Sequence, residues 1–212
     1  LDDAFVEFMD KVPFYGVAVL CLDDPRLSGL IPRVNKRTLT YGLASQADYQ
    51  ARELEPCGEG TAFTLYVKGE RAGRVELGLP GRHNVQNLLG AIAVARELGV
   101  GLEEVRGACQ SLSGVARRFE RKGETAAGAL VLDDYAHHPT EIKATLEAAR
   151  ARWPQRRLVV CFQPHRYSRT ELLFEEFTTA FYGANLLVML EIYPAGEKPR
   201  PGVEAARLAE AV

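Results

Sequence analysis

"GALVLDDYAHHPTEIKATLEAARARW", residues 128–153, is the stretch that decides the fold. Its first eight residues form a short apolar run that ends in acids, the signature of a strand. From Pro139 onward the period changes. Ile142, Leu146, Ala149 and Trp153 recur at helical spacing, with a proline at the first helical position. The same alternation follows downstream. "RLVVCFQ" (157–163) reads as a strand, and "SRTELLFEEFTTAFYG" (168–183) as one helix opened by a Ser168-x-x-Glu171 capping box, with Leu173, Phe177 and Phe181 in its buried stripe. "NLLVMLEIY" (185–193) is a further strand and "EAARLAEA" (204–211) a closing helix. Strand alternating with helix implies right-handed crossovers and a mostly parallel sheet, a Rossmann-like α/β unit.

Upstream the pattern is mixed. "FYGVAVLCLDD" (14–24) is an apolar, β-branched run read as a buried strand, and "TAFTLYVKGERAGRVELGLPG" (61–81) reads as two strands joined by a turn at Gly69 to Gly73. "RHNVQNLLGAIAVARELGV" (82–100) is a helix whose Val85, Leu88, Leu89, Ile92 and Ala93 share one face, with Gly99 ending it. "LEEVRGACQSL" (102–112) is a shorter one, and residues 1–12 carry a helix-like pattern in Phe5, Phe8 and Met9. "SLSGVARRFER" (111–121) turns small, polar and basic, which places a hinge near residue 115 and two domains, 1–115 and 116–212.

The 212 residues suffice for one large or two small domains, and 47% apolar residues can build a real core. A net charge of −2 argues against broad nucleic-acid binding. No apolar run approaches the roughly 18 to 20 residues that span a bilayer. Cys21, Cys57, Cys109 and Cys161 are isolated, three of them in apolar runs where buried thiols are common, which fits a reduced, cytoplasmic protein. Leu1 is no initiator methionine and the last residues sit within a helical pattern, so the sequence reads as part of a longer chain.

Three loops follow strands at the edge where open α/β sheets bind ligands: "DDYAHHPTE" (133–141), "QPHRYSRTE" (163–171) and "EIYPAGEKP" (191–199). All three are rich in ionisable and aromatic side chains. In the first, His137 and His138 with Asp133 and Asp134 suggest a metal cluster together with His165. Adjacent histidines diverge, however, and no H-x3-H pair exists. Otherwise His138 caps the helix while an aspartate satisfies backbone donors. In the second, His165, Arg166 and Arg169 meet at a strand–helix junction. With Ser168 as cap, Arg169 leaves from the first helical position, so imidazole, guanidinium and helix N-terminus converge on an anion, a carboxylate or phosphate; surface charge is the other reading. Asn84 and Asn87 lie three apart on one helix face, suited to a base edge such as adenine, although Asn84 also reads as a plain N-cap. Arg117 and Arg118 are either solvated surface or phosphate contacts at the hinge.

Five segments together, "GRHNVQNLLGAIAVA" (81–95), "ARRFE" (116–120), "DDYAHHPTEI" (133–142), "FQPHRYSRT" (162–170) and "EIYPAGE" (191–197), resemble the Mur ligase family in this order and over essentially the whole sequence. The resemblance implies an α/β protein: residues 1–115 as the C-terminal part of a central ATP-binding domain, and 116–212 as a truncated Rossmann-like ligase domain. It implies a cytoplasmic, ATP-dependent amide-bond ligase of peptidoglycan precursor synthesis. That enzyme joins L-alanine to UDP-N-acetylmuramate through an acyl phosphate, with ATP and Mg2+ as cofactors and no nucleic-acid or membrane partner. By position, Asn84 and Asn87 match the ATP-site asparagines and Arg118 the ATP-phosphate arginine, with a catalytic share. Asp134, Tyr135 and His137 fall in the loop facing nucleotide and substrate, Tyr135 on the nucleotide and Asp134 and His137 in catalysis. His165, Arg166 and Arg169 fall near the incoming alanine, which supplies a carboxylate. The family's glycine-rich G-x-x-x-x-G-K-[ST] loop does not occur in these residues. The phosphate loop and magnesium ligands are therefore expected outside the sequence, no metal ligand is assigned within it, and the segment alone is expected to be inactive. Two alternatives stay open. A ligase recycling murein peptides would differ in the "HRYSRT" loop, and a standalone nucleotide-binding module would have to begin and end where the sequence does.

Overall fold

The computed structural model describes residues 1–44, 46–112 and 114–212. They form two compact units, Leu1–Ser113 and Gly114–Val212, each with its own core.

In the first unit, helix α1 (Asp2–Asp10) precedes strand β1 (Ala18–Cys21), helix α2 (Pro25–Leu30) and strands β2 (Thr38–Gly42), β3 (Tyr49–Cys57), β4 (Gly60–Val67) and β5 (Glu70–Leu77). Helices α3 (Arg82–Glu97) and α4 (Leu102–Ser111) complete it. The five strands make one sheet in sequence order; β1–β2 and β2–β3 are parallel, β3–β4 and β4–β5 antiparallel. Phe63 and Leu65 of β4 and Val75 and Leu77 of β5 are buried against Val85, Leu89, Ile92 and Ala93 of α3 and Val105 and Cys109 of α4. The stripe expected on residues 82–97 is thus the face that packs.

Several expectations change here. Strands β2 and β3 escaped the sequence reading because "TLTYG" and "YQARELEPC" lack a clean apolar alternation. Their pairing comes from neighbours: β2 is zipped to β1 from Ala18↔Thr38 to Cys21↔Tyr41. The β4–β5 turn is two residues, Lys68 and Gly69, both at positive φ (51° and 84°), the pattern of a primed hairpin turn. Gly73 lies within β5, not in the turn, next to a register shift in the β4–β5 pairing. In α1, Met9 is buried among Ala18, Leu20 and Leu30, but Phe5 and Phe8 are exposed because only one edge of this helix meets the sheet.

The second unit contains strands β6 (Glu120–Glu124) and β7 (Leu130–Asp133), helix α5 (Pro139–Arg152), strand β8 (Val159–Phe162), helices α6 (Tyr167–Leu172) and α7 (Phe174–Thr178), strand β9 (Leu186–Met189) and helix α8 (Ala205–Ala211). β8 runs parallel to β9, as the alternation implies. β6 is an addition: "ERKGE" has no apolar signal and becomes a strand only by antiparallel pairing with β7. The core joins Ile142 and Leu146 of α5, Phe162 of β8, Phe177 of α7, Phe181 just after α7, and Leu208 of α8. Trp153 is the C-cap of α5, its ring stacked on Phe119 at 6.0 Å. Cys109 is buried, Cys21 and Cys57 half-buried, but Cys161 is exposed, because alternate residues of β8 face outward (Val159 and Cys161) while Phe162 faces the core. Among the described residues no helix is long and apolar enough to cross a membrane.

Candidate functional site

Each unit brings together its own set of the residues singled out in the sequence. In the first, the N-cap of α3 is Gly81, at φ 97° and ψ 144°, a left-handed-side conformation that suits glycine. Asn84 is therefore not a cap. It occupies the third helical position, and its Nδ2 donates back to the Pro80 carbonyl at 2.7 Å. Asn84 is half-buried and Asn87 exposed, three residues apart on one face. The sequence reading passed over Asp23, immediately after β1. Its carboxylate accepts from the Leu43 amide (2.7 Å), the Ala44 amide (2.8 Å) and Gln86 Nε2 of α3 (2.6 Å).

In the second unit the three ligand-edge loops converge beyond β7, β8 and β9. In the first loop, His138 caps α5: Nδ1 accepts from the Thr140 amide at 3.3 Å, and Glu141 Oε2 accepts from the His138 and His137 amides at 3.2 and 3.0 Å. Burial pushes the Glu141 carboxyl up, but those two amides and the charges around it outweigh this and hold it below the usual value. Asp134 ties backbone: Oδ2 accepts from the Phe119 amide (2.7 Å) and Oδ1 from the Ala136 amide (2.8 Å). Asp133 lies 3.8 Å from Arg117. Tyr135 is exposed, with the Arg117 guanidinium 4.6 Å and the Arg118 guanidinium 5.9 Å from its ring centre. Arg118 also pairs with Glu141 at 3.6 Å. His137 Nδ1 donates to the Tyr135 carbonyl at 2.8 Å, and its ring stands edge-on to Tyr135 at 5.0 Å.

The second and third loops are zipped together. The Arg166 amide donates to the Tyr193 carbonyl and the Tyr193 amide to the Pro164 carbonyl, both at 2.8 Å. The His165 ring stacks on Tyr193 at 5.4 Å and lies 6.1 Å from the His137 ring. Arg169 Nη1 donates to the His165 carbonyl at 3.2 Å and sits 3.3 Å from His165 Nδ1. His165, Arg166 and Arg169 are thus together, with His137 beside them. Burial first, then the Arg169, Arg166 and His137 charges, lower the His165 pKa below 6.5.

The helix start differs from the capping-box expectation. Arg166, at φ 75°, holds the N-cap position and α6 begins at Tyr167, so Arg169 stands at the third helical position, not the first. Ser168 is inside the helix, and both its amide (2.8 Å) and its hydroxyl (2.5 Å) donate to Glu197. Glu171, the expected partner in the box, pairs with Arg200 instead. The single helix expected over 168–183 is two, α6 and α7, broken at Leu173. Glu197 was quoted only as part of a loop; local spacing carries no sign that it grips a serine 29 residues away. The Ser168 hydroxyl and amide hold its carboxyl below the usual value. Among the described residues no group of three or more His, Cys, Asp or Glu is placed to hold a metal ion.

Residues 2–95 match the family model of the Mur ligase middle domain, and residues 117–212 that of the Mur ligase glutamate ligase domain. This chain belongs to the Mur ligase family. Among curated relatives it is similar to the UDP-N-acetylmuramate–L-alanine ligase of Geobacter sulfurreducens, 53% identical over all 212 residues and 46% of that protein. It is equally similar to the ligase of the same name from Desulfatibacillum aliphaticivorans, at 53% over the same share of each chain. This Mur ligase chain thus spans about half the length of the curated relatives it matches. Among solved structures, the UDP-N-acetylmuramate–alanine ligase of Thermotoga maritima superposes with a TM-score of 0.71 at 27% identity, over 92% of this chain and 40% of that one.

Proposed function

We propose that this Mur ligase segment belongs to a cytoplasmic ATP-dependent enzyme that joins L-alanine to UDP-N-acetylmuramate in peptidoglycan precursor synthesis. The reading rests on one observation above others: 53% identity to ligases of that name runs the full length of the chain, through the loop in which His165, Arg166 and Arg169 converge. A lone acceptor carboxylate is what such a cluster would hold. His165, its pKa lowered, is neutral near pH 7, so the positive charge comes from Arg166 and Arg169.

Bound ATP would supply the phosphoryl group that activates the muramoyl carboxylate. On this chain, Asn84 and Asn87 offer amides to the adenine edge, which both donates and accepts. Tyr135 offers a ring face to the nucleotide, and Arg118, held by Glu141, a guanidinium to its phosphates. Asp134 holds the loop between Phe119 and Ala136 by its backbone and so presents Tyr135 and His137 to the reacting groups. Arg166 and Arg169 orient the alanine carboxylate so that its amine faces the activated acyl group. In this reading the magnesium ligands lie outside the segment, and no residue of the chain is assigned to the metal.

The test is steady-state kinetics of the full-length enzyme with alanine varied and ATP saturating. A charge-assisted hydrogen bond is worth roughly 1.5 to 3 kcal/mol, so Arg169→Ala is expected to lower kcat/KM for alanine roughly 10- to 100-fold. Arg169→Lys restores it only in part, since an ammonium cannot present the planar fork. An unchanged kcat/KM for alanine in Arg169→Ala would overturn the assignment.

A further inference from the structure

We propose that Asp23 is a positioning residue of the nucleotide site: it sets the rotation of α3 and thereby aims Asn84 and Asn87. The inference rests on the nucleotide reading of those two asparagines.

Asp23 sits where β1 leaves the sheet, at the carboxyl-terminal edge of the parallel pair β1–β2. Three donors from two other segments reach its carboxylate. Oδ2 takes the Leu43 amide and Gln86 Nε2, and Oδ1 takes the Ala44 amide. One side chain therefore joins the end of β1, the loop leaving β2 and the first turns of α3. The approach is built in on the other side as well. Gly42 has φ +155°, and a Cβ there would lie 2.8 Å from the Asp23 carboxyl atoms, so the absence of a side chain is what admits the carboxylate.

A second contact fixes the same helix face. A Cβ on Gly90 would stand 3.1 Å from the Tyr41 ring, so the ring lies flat against α3 one turn beyond Gln86. At about 100° per residue, Gln86 and Gly90 lie within about 40° of each other round the helix, and Asn87 is about 60° to 100° from them. Asp23 and Tyr41 thus clamp one face and leave the neighbouring one, with Asn87, exposed. Core packing through Val85, Leu89 and Ile92 sets where the axis lies. The Gln86–Asp23 bond adds a directional restraint to that packing, because apolar contact is non-directional whereas a hydrogen bond to a carboxylate, itself anchored by the Leu43 and Ala44 amides, is not.

The experiment measures KM for ATP and for alanine in the full-length enzyme. In Asp23→Asn the amide NH2 faces donors, so at least one of the three bonds fails. KM for ATP is expected to rise about 10-fold, while KM for alanine moves less than about 2-fold. Gln86→Ala, which removes the bond from α3 to Asp23 while leaving the 43–44 loop held, is expected to give a rise of similar size in the same direction. Adding Gln86→Glu to Asp23→Asn restores one donor–acceptor pair and part of the affinity for ATP. Asp23→Asn on top of Asn87→Ala is less than additive, because both act through one contact. A raised KM for ATP in Asn87→Ala with none in Asp23→Asn, equal rises for ATP and alanine in Asp23→Asn, or full additivity would each overturn the inference. If Asn87→Ala itself leaves KM for ATP unchanged, it is the nucleotide reading that fails, and the role of Asp23 falls with it.

Discussion

Arg169 Nη1 donates to the His165 carbonyl and sits 3.3 Å from the His165 ring nitrogen Nδ1, and that proximity bears on the protonation of His165. Burial of the imidazole, then the charges of Arg169, Arg166 and His137, make adding a proton to it cost more in the folded chain than in the unfolded one. A histidine with a depressed folded pKa binds fewer protons when folded, and its contribution to stability is lost as pH falls below its unfolded value near 6.5. An NMR titration of the His165 ring is expected to give a pKa below 6.5, and Arg169→Ala is expected to move it upward. A value at or above 6.5 in the unaltered chain would refute the contact. The residue types and their order at 165, 166 and 169 were readable as an anion trap. That Arg169 turns back onto the His165 carbonyl was not, because it depends on where the helix starts.

At the scale of elements, the start of α6 is settled by a partner distant in sequence. Ser168 has the chemistry of a cap, but Glu197 captures both its hydroxyl and its amide, and Arg166 at positive φ takes the cap position instead. The Glu197 carboxyl is held below its usual range, so what it contributes is present above its unfolded value and lost as pH falls through the folded one. Glu197→Gln is therefore expected to be less stable than the unaltered chain at neutral pH, with the difference closing in acid. Urea unfolding followed through Trp153, the one tryptophan, reads this out; a difference independent of pH would refute it. The helices α3 and α5 were legible because each has a long buried stripe, whereas α4 sets only Val105 and Cys109 into the core. Strands β2, β3 and β6 were not, since their pairing rather than their composition makes them strands.

Each of the two units has its own core and its own set of site residues, and the 212 residues contain no phosphate-gripping glycine loop. Phosphoryl transfer relies on such a loop with its lysine and on metal to neutralise developing charge. The 212-residue chain mixed with ATP, alanine and UDP-N-acetylmuramate is accordingly expected to release no phosphate above background. Release would show that this segment alone contains a complete site.

By itself the sequence determined the α/β class, the helical stripes and the residue types at three ligand-edge loops. Those follow from periodicity and local chemistry, which act within a few residues. It also placed Asn84 and Asn87 on one helix face, since their spacing needs only a helix. Tertiary structure alone decided that Asn84 bonds the Pro80 carbonyl instead of capping, that Glu197 claims Ser168, and that Asp23 binds Gln86, 63 residues away. The first follows from Gly81 taking the cap position, while the other two join residues 29 and 63 apart, at distances that exist only once the chain has folded.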